Sequence, residues 1–291
     1  MPAKSIEKIN GADGSLERVL LRGQNGSSVE VYLFGATITS WKSQGKERLF
    51  LSGKAKLDGS KAVRGGIPLV FPQFGPGELP QHGFARTRKW TFVDAIEHGA
   101  GMVAHFELKE NEDTLASKWP YKFVLHYTVD LTATTLSTVI KYENTDTREF
   151  SFTSLMHTYF RVPDIKDTQV TGLQNVLYAD KIAGTQDERE GREAVTVAAN
   201  EDRMYTDVPG VVSVQYGGER VSITRFNFKD IVLWNPWAEK AAEMSDFGDS
   251  EYNSMICVEV GTVASKVTLR PGQTVSCGQI LAVEPAANSQ L

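Results

Sequence analysis

Val124-Leu125-His126-Tyr127-Thr128-Val129-Asp130-Leu131 and Leu136-Ser137-Thr138-Val139-Ile140-Lys141-Tyr142 flank the short polar link Thr132 to Thr135. Both runs are rich in residues that favour strands, and the link between them is hairpin-sized. The same grammar recurs along the chain. Val29, Val31 and Leu33 alternate with Glu30 and Tyr32. Val211 to Tyr216 and Val221 to Arg225 flank Gly217-Gly218-Glu219-Arg220, a second hairpin signal. Lys266 to Leu269 and Thr274 to Val283 flank Arg270-Pro271-Gly272-Gln273, where Pro then Gly suits the centre of a type II turn.

Well over a dozen such runs follow one another, and long stretches of helical period are missing. One short helix is predicted, with Asn235 as N-cap and Pro236 at its first position, running towards Gly248. The polar segment Thr185 to Glu193 reads as a surface loop. Closely spaced strands with few, short helices imply an all-β antiparallel sandwich or barrel. No repeat or linker divides the 291 residues, so one domain over 1–291 is expected.

Hydrophobic content of 41% and charged content of 23% describe an ordinary globule rather than a disordered or membrane chain. No stretch approaches the roughly 20 apolar residues that cross a bilayer, and Met1 to Asn10 lacks a signal-peptide core. A cytoplasmic location is therefore expected. Cys257 and Cys277 sit in apolar runs and read as buried, reduced thiols. A net charge of −5 argues against nucleic-acid or membrane partners. Yet Lys54 to Trp90 holds seven basic residues against two acidic ones, a local +5 that leaves −10 elsewhere. That island suits either a solvated basic surface or a small anionic ligand.

Metal-ligand spacings, a phosphate-binding loop, a dinucleotide fingerprint and a serine-hydrolase elbow are all missing. No cofactor and no metal are expected. Two titratable residues stand out. Glu259 lies in Met255-Ile-Cys-Val-Glu-Val260, apolar on both faces, where a carboxylate is costly unless paired, protonated or turned to a polar cleft. His157 lies in the mostly apolar run Phe152 to Phe160. Glu259 reads either as a satisfied structural residue or as a proton-transfer group, and His157 either as a core histidine bonded to backbone or as a titratable group near neutral pH. Arg64-Gly-Gly-Ile-Pro68 and Gln81-His-Gly-Phe-Ala-Arg86 read as loops, with glycines that let backbone approach a ligand and arginines that grip phosphate or carboxylate.

Together the segments Arg64 to Gln73, Gln81 to Arg86, Leu155 to Phe160, Glu201 to Tyr205, Trp234 to Trp237 and Ile256 to Glu259 resemble the aldose 1-epimerase family, in its glucose-6-phosphate 1-epimerase (hexose-6-phosphate mutarotase) branch. The resemblance spans nearly the whole chain. It implies a galactose mutarotase-like β-supersandwich with a sugar cleft on one sheet. It implies that His157 and Glu259 are catalytic, and that Arg64, Gln81, His82, Arg86, Asp202 and Trp234 bind substrate, with Arg64 and Arg86 on the phosphate. The glutamate is commonly followed by Pro-Gly in this family; here Val260 precedes Gly261, which bears on the local turn.

The reaction so implied is anomer exchange of a hexose 6-phosphate, and a monomer is expected. Glu259 takes the proton of the C1 hydroxyl and a protonated His157 gives one to the ring oxygen. The rival readings are an epimerase of free aldoses, a non-catalytic carbohydrate-binding sandwich, and a two-carboxylate glycosidase, which would need a second carboxylate near the first.

Overall fold

The computed structural model describes residues 4–285. The strands assemble into three antiparallel sheets of five, nine and eight strands. The two large sheets pack face to face. Phe152 from one, with Phe71 just beyond the sheet's edge strand, packs on Tyr142 of the other, and the Tyr142 hydroxyl meets Ser154 at 2.5 Å. One apolar cluster runs from Val19 to Leu281 through all three sheets. Each Val, Leu, Ile or Phe removed from water contributes roughly 1.5–3 kcal/mol, so this shared core is what holds the layers together.

Alternation explains the nine-stranded sheet. Along Phe123–Leu131 and Thr135–Asn144 every second side chain is buried, and Leu131 pairs with Leu136 across the Thr132 to Thr135 link. A strand with one solvated face writes its register into the sequence. In the Val212–Tyr216/Glu219–Phe226 hairpin, Gly217 and Gly218 both have positive φ, as a tight two-residue hairpin turn requires.

Five strands and one helix build the platform of interest: β1 (Phe150–Met156), β2 (Tyr159–Arg161), β3 (Glu201–Tyr205), β4 (Asp230–Asn235), α1 (Trp237–Glu243) and β5 (Met255–Leu269). In the eight-stranded sheet β3, β4, β5 and β1 are successive neighbours, and β2 adds to β5 through Tyr159 opposite Cys257. Met255 to Val260 is buried on both faces. Ile256, Val258 and Val260 point into the core between the sheets, while Met255 and Cys257 join a second cluster with Phe50, Tyr159, Ala241 and Phe247. Period 2 then turns Glu259 to the same outer face as Cys257.

Two local expectations change, and two turns are clarified. Thr185–Arg189 is not a loop but an exposed edge strand paired with Leu177–Asp180, its charges blunting further pairing. The helix starts later and is shorter: Asn235 accepts a hydrogen bond from the Trp237 amide at 2.9 Å, Pro236 is the cap, and the helix closes at Glu243. Arg270 to Gln273 turns as expected, with Gly272 at φ 74°, and carries the chain from one large sheet to the other. Val260-Gly261 makes no turn; β5 runs straight through, and Gly261 lets the backbone of Ser154 pass where a Cβ would come within 2.7 Å of its carbonyl oxygen. Cys257 and Cys277 are both free and buried, as expected. No helix among the described residues is long and apolar enough to cross a membrane.

Candidate active site

The outer face of β3, β4 and β5 forms the floor of a cleft of about 530 Å³, within the range of small-molecule sites. Three pairings set the floor: Asp202 opposite Trp234, Trp234 opposite Cys257, and Val232 opposite Glu259. The wall comes from two glycine-bearing loops. In Arg64-Gly-Gly, Gly65 and Gly66 both have positive φ, and a Cβ on Gly66 would lie 1.9 Å from the Ile38 carbonyl oxygen. That close approach pins the loop to the N-terminal sheet and fixes where Arg64 starts.

Of the eight residues singled out from the sequence, Arg64, Gln81, His82, His157, Asp202, Trp234 and Glu259 line this cleft. Arg86 lines an adjoining recess with Lys61, Arg64, Gln81 and Asp246. Sequence reasoning passed over Lys181, which lies 3.0 Å from Asp202 and 4.6 Å above the Phe74 ring. It also left Tyr159 and Asp246 without a task, although both hold Arg64. Arg64 Nη1 donates to the Tyr159 hydroxyl at 3.1 Å and its Nε to Asp246 at 3.3 Å. No motif marks Lys181 or Asp246; only the fold brings them here.

His157 Nδ1 lies 3.3 Å from Glu259 Oε1. The imidazole is clamped by rings: it stacks on Tyr159 at 4.7 Å and meets Trp234 and His82 edge-on. His157 is 8% exposed and Glu259 1%. Neither His157 Nδ1 nor Glu259 Oε2 has a hydrogen-bond partner among the described residues. Buried polar atoms without partners are expensive, so this pair is held in reserve for something.

The electrostatics run against charge on both. Burial pushes the Glu259 carboxyl well above its ordinary range; Asp202 adds to this, while Lys181 and Arg86 oppose it. Burial likewise pushes His157 well below its ordinary value, helped by His82 and the cations Arg86 and Arg64. The protonated His157 expected from the sequence is therefore disfavoured in the unliganded cleft, and the pair's proton is favoured on the carboxyl. His82 falls to about 3 through burial and the nearby Arg86, Lys181 and Arg64. Its Nδ1 accepts from the Gly75 amide at 3.2 Å, which leaves Nε2 as the N–H. Burial also brings Arg86 down to about 10; its Nη2 donates to the Gln81 carbonyl at 2.7 Å, and its Nε is buried without a partner.

Of the seven cations in the basic island, Arg64 and Arg86 are half-buried where they line the cleft or its recess, with Lys61 at the rim on Asp246 at 3.1 Å. Lys54 and Arg88 are spent on surface carboxylates.

A family model for aldose 1-epimerase matches residues 17–282. The chain belongs to the aldose 1-epimerase family. A candidate glucose-6-phosphate 1-epimerase of Cenchrus ciliaris is 37% identical over 94% of this chain and 86% of its own length. Another, from Escherichia coli K12, is 32% identical over 78% of this chain and 77% of its own. Among solved structures, a mutarotase candidate from Salmonella typhimurium superposes with a TM-score of 0.84 at 26% identity, covering 96% of this chain and 97% of its own. The galactose 1-epimerase of Lactobacillus acidophilus NCFM, at 16% identity, shares the fold with a TM-score of 0.72 over 98% and 99%. The chain is an isomerase of the aldose 1-epimerase type with a galactose mutarotase-like fold.

Proposed function

We propose that this aldose 1-epimerase family member is a glucose-6-phosphate 1-epimerase, with His157 and Glu259 as its acid–base pair. The observation that carries the reading is one of placement. A buried imidazole and carboxyl 3.3 Å apart share their cleft with Arg64, and the adjoining recess adds Arg86. A neutral aldose would leave Arg64 sharing the single carboxylate of Asp246 with Lys61 and give Arg86 no counter-charge; a phosphate supplies one. A module that only binds sugar has no use for an unpartnered buried acid and base. The names of the Cenchrus ciliaris and Escherichia coli relatives point to the same substrate.

Anomer exchange needs the C1–O5 bond to break. The C1 hydroxyl loses its proton as C1=O1 forms, and O5 gains one. Two groups that together hold one proton suffice, because each closure returns what each opening took. A phosphate dianion beside Arg64 and Arg86 offsets the cations that depress His157, so substrate binding favours moving the pair's proton from Glu259 to His157. The imidazolium then gives its proton to O5 while the Glu259 carboxylate takes the one on O1. The aldehyde turns about C1–C2, and ring closure on its other face reverses both transfers. His82 Nε2–H, Gln81 and the Lys181–Asp202 pair offer hydrogen bonds to ring hydroxyls, and Trp234 offers an apolar face. The phosphate is remote from the reacting carbon and fixes the ring.

All of these groups come from one chain, so the reading is of a monomer. Two reduced, buried thiols suit a reducing compartment, and we place the activity in the cytoplasm. The test is exchange NMR of the α and β C1 protons. Glucose 6-phosphate should exchange far above the buffer rate and glucose should not. Equal acceleration of both sugars would remove the phosphate from the reading.

A further inference from the structure

The unpartnered atoms of the cleft have a third neighbour that the reaction does not use. Cys257 sits two residues before Glu259 on β5, so both side chains leave the same face of the strand. One ligand atom from each of His157, Cys257 and Glu259 lies within 4.8 Å of the others. The 3.3 Å between His157 Nδ1 and Glu259 Oε1 already matches the roughly 3.3 Å edge of a tetrahedron whose metal–nitrogen and metal–oxygen bonds are about 2.0–2.2 Å. The thiol sulfur, within 4.8 Å of both, closes the third corner by approaching to the roughly 3.5 Å that a metal–sulfur bond of about 2.3 Å requires.

We propose that His157, Cys257 and Glu259 form an inhibitory site for a borderline-soft divalent cation of the zinc type, with the fourth corner open to the cleft.

The ligand set names the ion. One sulfur, one imidazole nitrogen and one carboxylate oxygen suit zinc, whereas magnesium and calcium take oxygen ligands almost exclusively. Charge also closes: a thiolate, a carboxylate and a neutral imidazole sum to −2, so a divalent ion leaves the buried centre neutral. His157 Nδ1, more than nine-tenths buried and lacking a hydrogen bond, gains the partner it lacks. Loading moves the thiol proton, and the carboxyl proton where present, out to solvent; nothing is oxidised or reduced.

The inhibitory consequence rests on the proposed acid–base roles of His157 and Glu259, since an ion bound to both leaves neither able to exchange a proton. The site itself does not rest on them, and the experiment separates the two. The purified full-length protein is stripped with chelator and titrated with Co²⁺. A thiolate-to-metal charge-transfer band in the near ultraviolet should grow and saturate, and Zn²⁺ should displace it. Zn²⁺ should slow glucose 6-phosphate anomer exchange, EDTA should restore it, and Mg²⁺ should do neither. In C257A the band should vanish and zinc inhibition should weaken at least as much as the roughly 10–100-fold typical of lost outer-shell partners, with metal-free turnover unchanged. C257S repeats the test if the alanine variant folds poorly, and C277A should keep both band and inhibition. A cobalt complex without the thiolate band, or zinc inhibition undiminished in C257A and C257S, overturns the proposal. The cobalt titration decides the site even if the protein proves inert towards glucose 6-phosphate.

Discussion

Nδ1 of His157 stands 3.3 Å from Oε1 of Glu259, a contact made by strand pairing between distant segments. β5 carries the glutamate, and the histidine lies in the short link from β1 to β2, held by its amide to the Pro68 carbonyl at 3.0 Å and by Tyr159 opposite Cys257. Because the pair is buried and clamped, its loss should affect turnover and leave binding nearly intact.

Glu259→Gln keeps the shape of the side chain and removes its proton chemistry. We expect kcat for anomer exchange to fall by about 10²–10⁴-fold, the usual contribution of a positioned acid or base, with KM changed far less. Exchange NMR over a substrate series separates the two parameters. Near-normal kcat in this variant would strip Glu259 of its role.

Arg64→Ala and Arg86→Ala should act on the other parameter. A hydrogen-bonded charge is worth roughly 1.5–3 kcal/mol, or about 10–100-fold. KM for glucose 6-phosphate should rise by that amount while kcat holds. Arg64→Ala also frees Asp246 and the Tyr159 hydroxyl, so Arg86→Ala is the cleaner probe. A collapse of kcat with KM unchanged would move these arginines from the handle to the chemistry.

His82 gives a pH dependence with a definite sign. Folded, burial and the cations Arg86, Lys181 and Arg64 hold it down to about 3; unfolded, it returns to about 6.5. Between those values the unfolded chain binds a proton that the folded one lacks, so the His82 contribution to stability falls as pH drops from about 6.5 towards 3. His82→Asn tolerates the φ of 67° at this position and should lose less stability than wild type over that window. Urea midpoints at pH 7 and pH 5 report it. Parallel declines in the two proteins would assign the acid sensitivity elsewhere.

Gly66→Ala tests the loop that aims Arg64. The new Cβ would meet the Ile38 carbonyl oxygen at 1.9 Å in a left-handed backbone, so backbone must move. A loss of roughly 3 kcal/mol or more is expected. Gly217→Ala shares the positive φ but meets nothing within 4 Å, and should cost only about 1–2 kcal/mol. Chemical denaturation of the two side by side checks the ranking.

The fold was legible where one face of a strand meets water. Phe123–Leu131 and Thr135–Asn144 announce their pairing through alternation, and Gly217-Gly218 announces its turn. It was illegible where that contrast is missing. Thr185–Arg189 is polar on both faces, so nothing local separates an edge strand from a loop. Arg270 to Gln273 encodes a turn, yet the sheet that receives the chain afterwards is decided by long-range packing. At the cleft, Glu259 and His157 were conspicuous as charges in apolar runs. Lys181 lies in an ordinary polar stretch, and its approach to Asp202 depends on the pairing of Leu177–Asp180 with β3. Cys257 and Glu259 share a face by period 2, a regularity readable in the sequence; the arrival of His157 beside them is not.

β5 hangs its glutamate from backbone laddered on both flanks, by β4 on one side and by β1 and β2 on the other. Its amides around Glu259 should therefore be among the slowest in the molecule to trade hydrogen for deuterium, opening only when the whole protein does. Sugars can come and go over such a floor without any part of it melting, so the cleft works as a mould rather than a jaw.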